Sequence, residues 1–197
     1  MTSENWYKQV SAHAPLTQGD LVQDCPIIKW KLEPVQYQGL DEREIIKELK
    51  NLVVGESADV VVMTQACDLE QAKVDNAILC PHLGLSDYRA FWFANMEANK
   101  QRANDKVWKK HCEDICKGFY WNLTMLDAGV CENLSLEQRI VDFHEVFTIP
   151  RVFLESLLRR RGMSRLQLLP PYREHLSQAF ARFFMRVGLP VPVQRAW

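Results

Sequence analysis

The sequence predicts an α+β fold: a small, strongly curved sheet or partly open barrel with inserted and C-terminal helices. About five strand-like segments are interrupted by helical ones, without the strict β-α-β-α alternation of a doubly wound sheet. Residues 59–64 are almost continuously apolar and β-branched, as in a strand covered on both faces. Near the C-terminus, Leu176, Ala179, Phe180, Phe183, Phe184 and Val187 recur at helical spacing.

The elements follow in order. Residues 16–22 read as a turn opening a strand, and 25–30 continue it past Pro26, which marks an edge or a bulge. Asp41 and Glu44 form a capping box, and Ile45, Ile46, Leu49 and Leu52 then follow as a short helix. Residues 59–64 are the central strand. Residues 77–80, before Pro81, are its partner, with 65–76 as the connecting loop, so that both loop ends lie at one rim. Ser86 caps a helix carrying Tyr88, Phe91, Trp92 and Met96, and Asp105 caps another with Trp108, Cys112, Ile115 and Cys116 on one face, stopped by Gly118. Strand chemistry returns at 119–126. In 139–149, Val141, Phe143, Phe147 and Ile149 alternate with polar residues, the pattern of a half-buried strand. Pro150 then opens a helix with Val152, Phe153, Leu157 and Leu158 inward, closed by Gly162. The last helix starts after Pro170 and Pro171 and ends at Gly188, Leu189 and Pro190.

With 197 residues, 47% hydrophobic and 25% charged, the chain suits one domain spanning 1–197 and excludes disorder, collagen and coiled coil. Barrel-like strands occupy 16–150 with a helical insertion at 86–118, and 151–197 form an Arg-rich helical part. No apolar run reaches the ~18 residues of a membrane helix, so no membrane partner is expected. The N-terminus has neither a basic start nor an apolar core, which makes the cytoplasm the expected location. Six cysteines at irregular spacing then read as free thiols.

The net charge of −1 conceals an asymmetry. Residues 150–197 carry nine Arg, no Lys and two carboxylates, whereas 1–149 carry 15 Lys and Arg against 23 Asp and Glu. Arg159, Arg160 and Arg161, with Arg165 and Arg173, are candidates for one patch contacting phosphate or a protein partner. The competing reading packs this basic end against the acidic remainder of the same chain.

Chemistry concentrates at Thr64, Cys67 and Asp68, directly after the most buried strand. With His82 at the same rim, these residues hold the parts of a nucleophile and base. The plainer reading is a small packed Cys with Asp68 capping the loop. Cys80, His82, Cys112 and Cys116 are zinc candidates, since Cys112 and Cys116 lie one helical turn apart. Their shared stripe with Trp108 and Ile115 favours core packing, and no metal or other cofactor is expected. His144 and Asp142 share a strand face, best read as solvated. No Walker A sequence, dinucleotide fingerprint, zinc-protease helix or nucleophile elbow occurs.

At Gly19-Asp20-Leu21-Val22, Val60-Val61-Val62-Met63-Thr64-Gln65 and Ala77-Ile78-Leu79-Cys80-Pro81 the chain resembles the MazF/PemK family of small barrels over its first 85 or so residues. The resemblance implies an SH3-like barrel and metal-independent RNA cleavage, with Thr64 at the family's strand-end hydroxyl. Ser57-Ala58-Asp59 stands where the family has Arg-Pro, and the helical insertion and Arg-rich end have no counterpart there. The leading expectation is therefore a non-enzymatic regulatory or interaction protein that binds a protein or an RNA, in the setting of bacterial defence or a toxin–antitoxin system. A MazF-like endoribonuclease and a Cys67-dependent enzyme are the alternatives.

Overall fold

The computed structural model describes residues 5–31 and 39–185. Its centre is a six-stranded antiparallel sheet. β2 (Leu21–Trp30), β3 (Val53–Val62), β4 (Asn76–Gly84), β8 (Arg139–Asp142) and β5 (Leu123–Leu126) lie in that order, and β9 (Phe147–Pro150) also pairs with β4. β4 is long enough to serve two partners on one edge, β9 through 76–79 and β8 through 82–84. The strand expected at 139–149 is thus two strands, broken at 143–146 so that each can pair with its own part of β4.

Two ribbons complete the β structure: β1 (Tyr7–Val10) with β10 (Arg165–Leu168), and β6 (Gly129–Cys131) with β7 (Leu134–Leu136). The first joins the head of β2, where Asp20 bridges to Gln167 and the Leu168 amide donates to the Gly19 carbonyl at 3.0 Å. The strands are not closed into a barrel.

β3 is covered on both faces at 60–62, as its apolar run predicts. Val61 and Met63 join Tyr7, Leu21, Cys80, Phe143, Leu168 and Leu176 in one core. Val60 and Val62 join Val22, Ile27, Leu79, Leu154 and Leu158 in the other. Leu176 brings α6 (Tyr172–Phe184) onto the first face, and Leu154 and Leu158 bring α5 (Arg151–Arg161) onto the second. The expected Leu157 and Leu158 of α5 do face the core, together with Leu154; Val152 and Phe153 are exposed, because the helix begins at Arg151 and turns their side away from the sheet. α6 starts after Pro171 as expected, with Phe184 exposed beyond the core contact. Val187 and the stop at 188–190 lie outside the described residues.

α1 (Glu42–Asn51) is held by the expected capping box, with Asp41 and Glu44 exchanging hydrogen bonds of 2.8 and 2.9 Å. The 65–76 loop contains a short helix, α2 (Ala66–Glu70). In the insertion, α3 (Leu85–Ala98) starts after Gly84 rather than at Ser86, which instead bonds Glu137. α4 (Asp105–Cys116) is capped by Asn104, whose side chain accepts from the Val107 amide, rather than by Asp105. Only 123–126 of the expected strand at 119–126 pairs, which leaves Phe119, Tyr120 and Trp121 in an exposed loop. No described helix is long and apolar enough to cross a membrane.

Candidate interaction surface

Thr64 and His82 stand at opposite ends of the central strand pair. Val60 is opposite Pro81 in the β3–β4 register, which sets Asp59 opposite His82. Thr64 is five residues further along, roughly 16 Å away at about 3.3 Å per residue. The structure therefore does not bring His82 to the rim that carries Thr64, Cys67 and Asp68. Thr64 is buried, and its Oγ1 accepts the Ile78 amide at 2.6 Å, which closes the strand end. Cys67 is exposed on α2, with Sγ 3.8 Å from Asp68 Oδ1 and 3.9 Å from Gln65 Oε1. Among the described residues no hydrogen bond or ion pair joins it to a histidine.

His82 belongs to a buried relay instead. Arg139 donates from Nε to His82 Nδ1 at 2.9 Å and from its terminal nitrogen to Asp59, whose other oxygen accepts the Asp24 amide at 3.0 Å. A guanidinium only donates, so His82 Nδ1 must accept and the ring proton sits on Nε2. Burial, and then the Arg139 charge, lower the His82 pKa to about 3, against the opposing pull of Asp59. The ring is neutral near pH 7 with its basic nitrogen already engaged, an arrangement that orients strands rather than moves protons.

The zinc candidates are likewise dispersed. Cys80 is buried in the first core, its thiol pushed up to about 12 by desolvation. Cys112 is half-buried, and Cys116 is exposed beside Met125 Sδ at 3.5 Å. Their neighbour His111 bonds the Tyr88 hydroxyl at 3.1 Å and stacks on Trp92 at 5.2 Å, tying α3 to α4. Among the described residues no group of three or more His, Cys, Asp or Glu could hold a metal ion. On the β8 side, Asp142 accepts the His144 amide, and both side chains are exposed.

The five arginines are divided between two roles. Arg159 and Arg160 are exposed in the last turn of α5, where cations suit the helix dipole. Arg161 donates to the carbonyls of Gln23 and Asp24, each at 2.6 Å. Arg165 is buried against Asp20 and also donates to the Ser11, Ala14 and Pro15 carbonyls. Arg173 pairs with Glu174 at 2.6 Å. At Arg161 and Arg165 the basic end is thus spent on the head of β2.

A large concavity was not singled out by the sequence pattern. It is a groove of about 1220 Å³ walled by 26–31 of β2, 54–56 of β3, 144–150 and Phe153. Ile28, Trp30 and Phe153, 69%, 60% and 46% exposed, form its apolar rim with Val146. The charge within it is balanced, Lys29 and Lys31 against Glu56 and Glu145: Lys29 lies 3.5 Å from Glu56 and 3.2 Å from Glu145, and sits over the Phe147 ring at 5.6 Å. Residues 25–30 of β2 pair with β3 on one side, and no described strand pairs with their other edge. Pro26 signals that edge in the sequence, but the exposure of Ile28 and Trp30 depends on what faces them in three dimensions.

Scans of the chain against protein-family models and against curated proteins give no match.

Proposed function

We propose that the chain is a non-enzymatic interaction protein whose groove receives an extended, apolar segment of a protein partner alongside β2. The observation that carries this reading is the exposed apolar rim of Ile28, Trp30 and Phe153 beside an unpaired strand edge. Contiguous apolar surface in contact with water marks an association site. A free strand edge supplies main-chain donors and acceptors to an added strand, and the flanking groove selects its side chains. Protein is favoured over nucleic acid because the two lysines that line the groove, Lys29 and Lys31, are matched in number by Glu56 and Glu145, which leaves no excess of positive charge. Phosphate recognition needs cations with charge to spare.

The test is selection of binders from a library of short random peptides displayed against the folded chain. Selected peptides should alternate apolar and polar residues and lose at least about tenfold in affinity against a Trp30→Asp, Phe153→Asp variant. Peptides that bind this variant as well as the parent, or a library that yields none, would overturn the reading.

A further inference from the structure

A second concavity, of about 270 Å³, lies between the loop after α4 and one face of α6. Its lining includes Lys117, Trp121, Thr124, His175, Gln178 and Arg182, and it contains no Asp or Glu. On α6, residues 175, 178 and 182 recur at i, i+3 and i+7 and so share one face. The guanidinium of Arg182 lies 5.2 Å from the centre of the Trp121 ring, held by its face. Among the described residues Arg182 makes no hydrogen bond, so its planar fork of donors is both oriented and unspent. Among the described residues Lys117 forms an ion pair with Glu113, at 4.0 Å with both side chains half-exposed, a pairing weak enough to exchange for a better anion.

We infer that this concavity binds a phosphate ester of mononucleotide size. Arg182 matches a phosphate with two parallel hydrogen bonds, and Lys117 adds a point charge. The cation–π contact with Trp121 restricts the guanidinium beforehand, which lowers the ordering cost of binding. Thr124 and Gln178 offer neutral donors and acceptors to the rest of the ligand. The volume leaves room for a sugar and base beside the phosphate, and the exposed ring of Tyr120 lines the same space. This site is separate from the groove along β2 and does not depend on the partner proposed there.

The experiment is calorimetric titration of the full chain with adenosine monophosphate, inorganic phosphate and adenosine. Adenosine monophosphate should bind most tightly, inorganic phosphate more weakly, and adenosine without measurable heat. Arg182→Gln should weaken the nucleotide by at least about tenfold and Lys117→Gln by several-fold, whereas Arg159→Gln with Arg160→Gln should leave it unchanged. The Trp30→Asp, Phe153→Asp variant should bind it as the parent does. All the substituted side chains are exposed, and equal melting temperatures would confirm that the variants fold. Absence of heat with both phosphate compounds at millimolar concentration, phosphate binding as tightly as the nucleotide, or unchanged affinity in Arg182→Gln would each overturn the inference.

Discussion

Arg165 donates from Nε to Oδ2 of Asp20 at 2.9 Å, with the two side chains 4% and 0% exposed. Gln167 Nε2 donates to the other Asp20 oxygen at 2.7 Å, and the Thr17 amide adds a bond at 3.0 Å. Both oxygens of the carboxylate thus accept from donors, which is what a charge needs to survive burial. The pair joins the turn before β2 to β10, across 145 residues of sequence.

Removing Arg165 strands the Asp20 charge. Arg165→Ala should lower unfolding free energy by about 3–5 kcal/mol, whereas Arg159→Ala at an exposed position of the last turn of α5 should stay within about 0.5 kcal/mol. Urea denaturation of the two variants checks this, and equal costs would show that Arg165 is as dispensable as its surface neighbours.

Thr64 is assigned a structural role by its bond to the Ile78 amide. Thr64→Val should cost about 1–3 kcal/mol, because it leaves a buried amide without an acceptor, and Thr64→Ser should restore most of the loss. Thermal melting distinguishes the three chains; a Val variant as stable as the parent would remove that role.

His82 makes stability depend on pH with a defined sign. Its folded pKa of about 3 lies below the ordinary value near 6.5, so between these values the unfolded chain binds the extra proton. The His82 contribution is complete above pH 6.5 and is lost as pH falls toward 3, by up to about 1.4 kcal/mol per unit. Urea midpoints at pH 4.5 and 7 should differ less for His82→Gln than for the parent. A parent and variant with parallel pH profiles would contradict the neutral, Arg139-bonded ring.

Much of the fold is legible in the sequence because it is locally encoded. The Asp41–Glu44 box, the doubly buried run at 60–62 and the Pro before α5 and α6 each depend on neighbours in the chain. The breaks at 143–146 and at 119–122 are less legible, since they arise from which strand edge is available for pairing. The expected meeting of Thr64, Cys67, Asp68 and His82 illustrates the same limit. Loop ends at 64 and 77 do share a rim, but each further residue along β4 moves about 3.3 Å away from it, and His82 is five residues along. The arginine cluster fails as one patch for a related reason, because adjacency in sequence does not reveal that Asp20 and the carbonyls at the head of β2 already hold Arg165 and Arg161.

The thiols supply an independent check on the Cys67 site. Cys67 is exposed beside Asp68 and has no histidine among its described partners, while burial raises Cys25 to about 11 and Cys80 to about 12. Alkylation by iodoacetamide in the native state should modify Cys67 at the rate of an ordinary exposed thiol and leave Cys25 and Cys80 intact until unfolding. A rate at Cys67 far above that of a free cysteine would revive it as a nucleophile.

Amide hydrogen exchange of the chain with and without a library-selected peptide tests the interaction surface most directly. The expected result is slowed exchange at outward-facing amides of 25–30 in β2, together with the 146–149 side of the groove, and unchanged exchange in α3 and α4. Protection confined to α3, α4 or the exposed arginines of α5, with β2 unaffected, would contradict the groove as the binding surface.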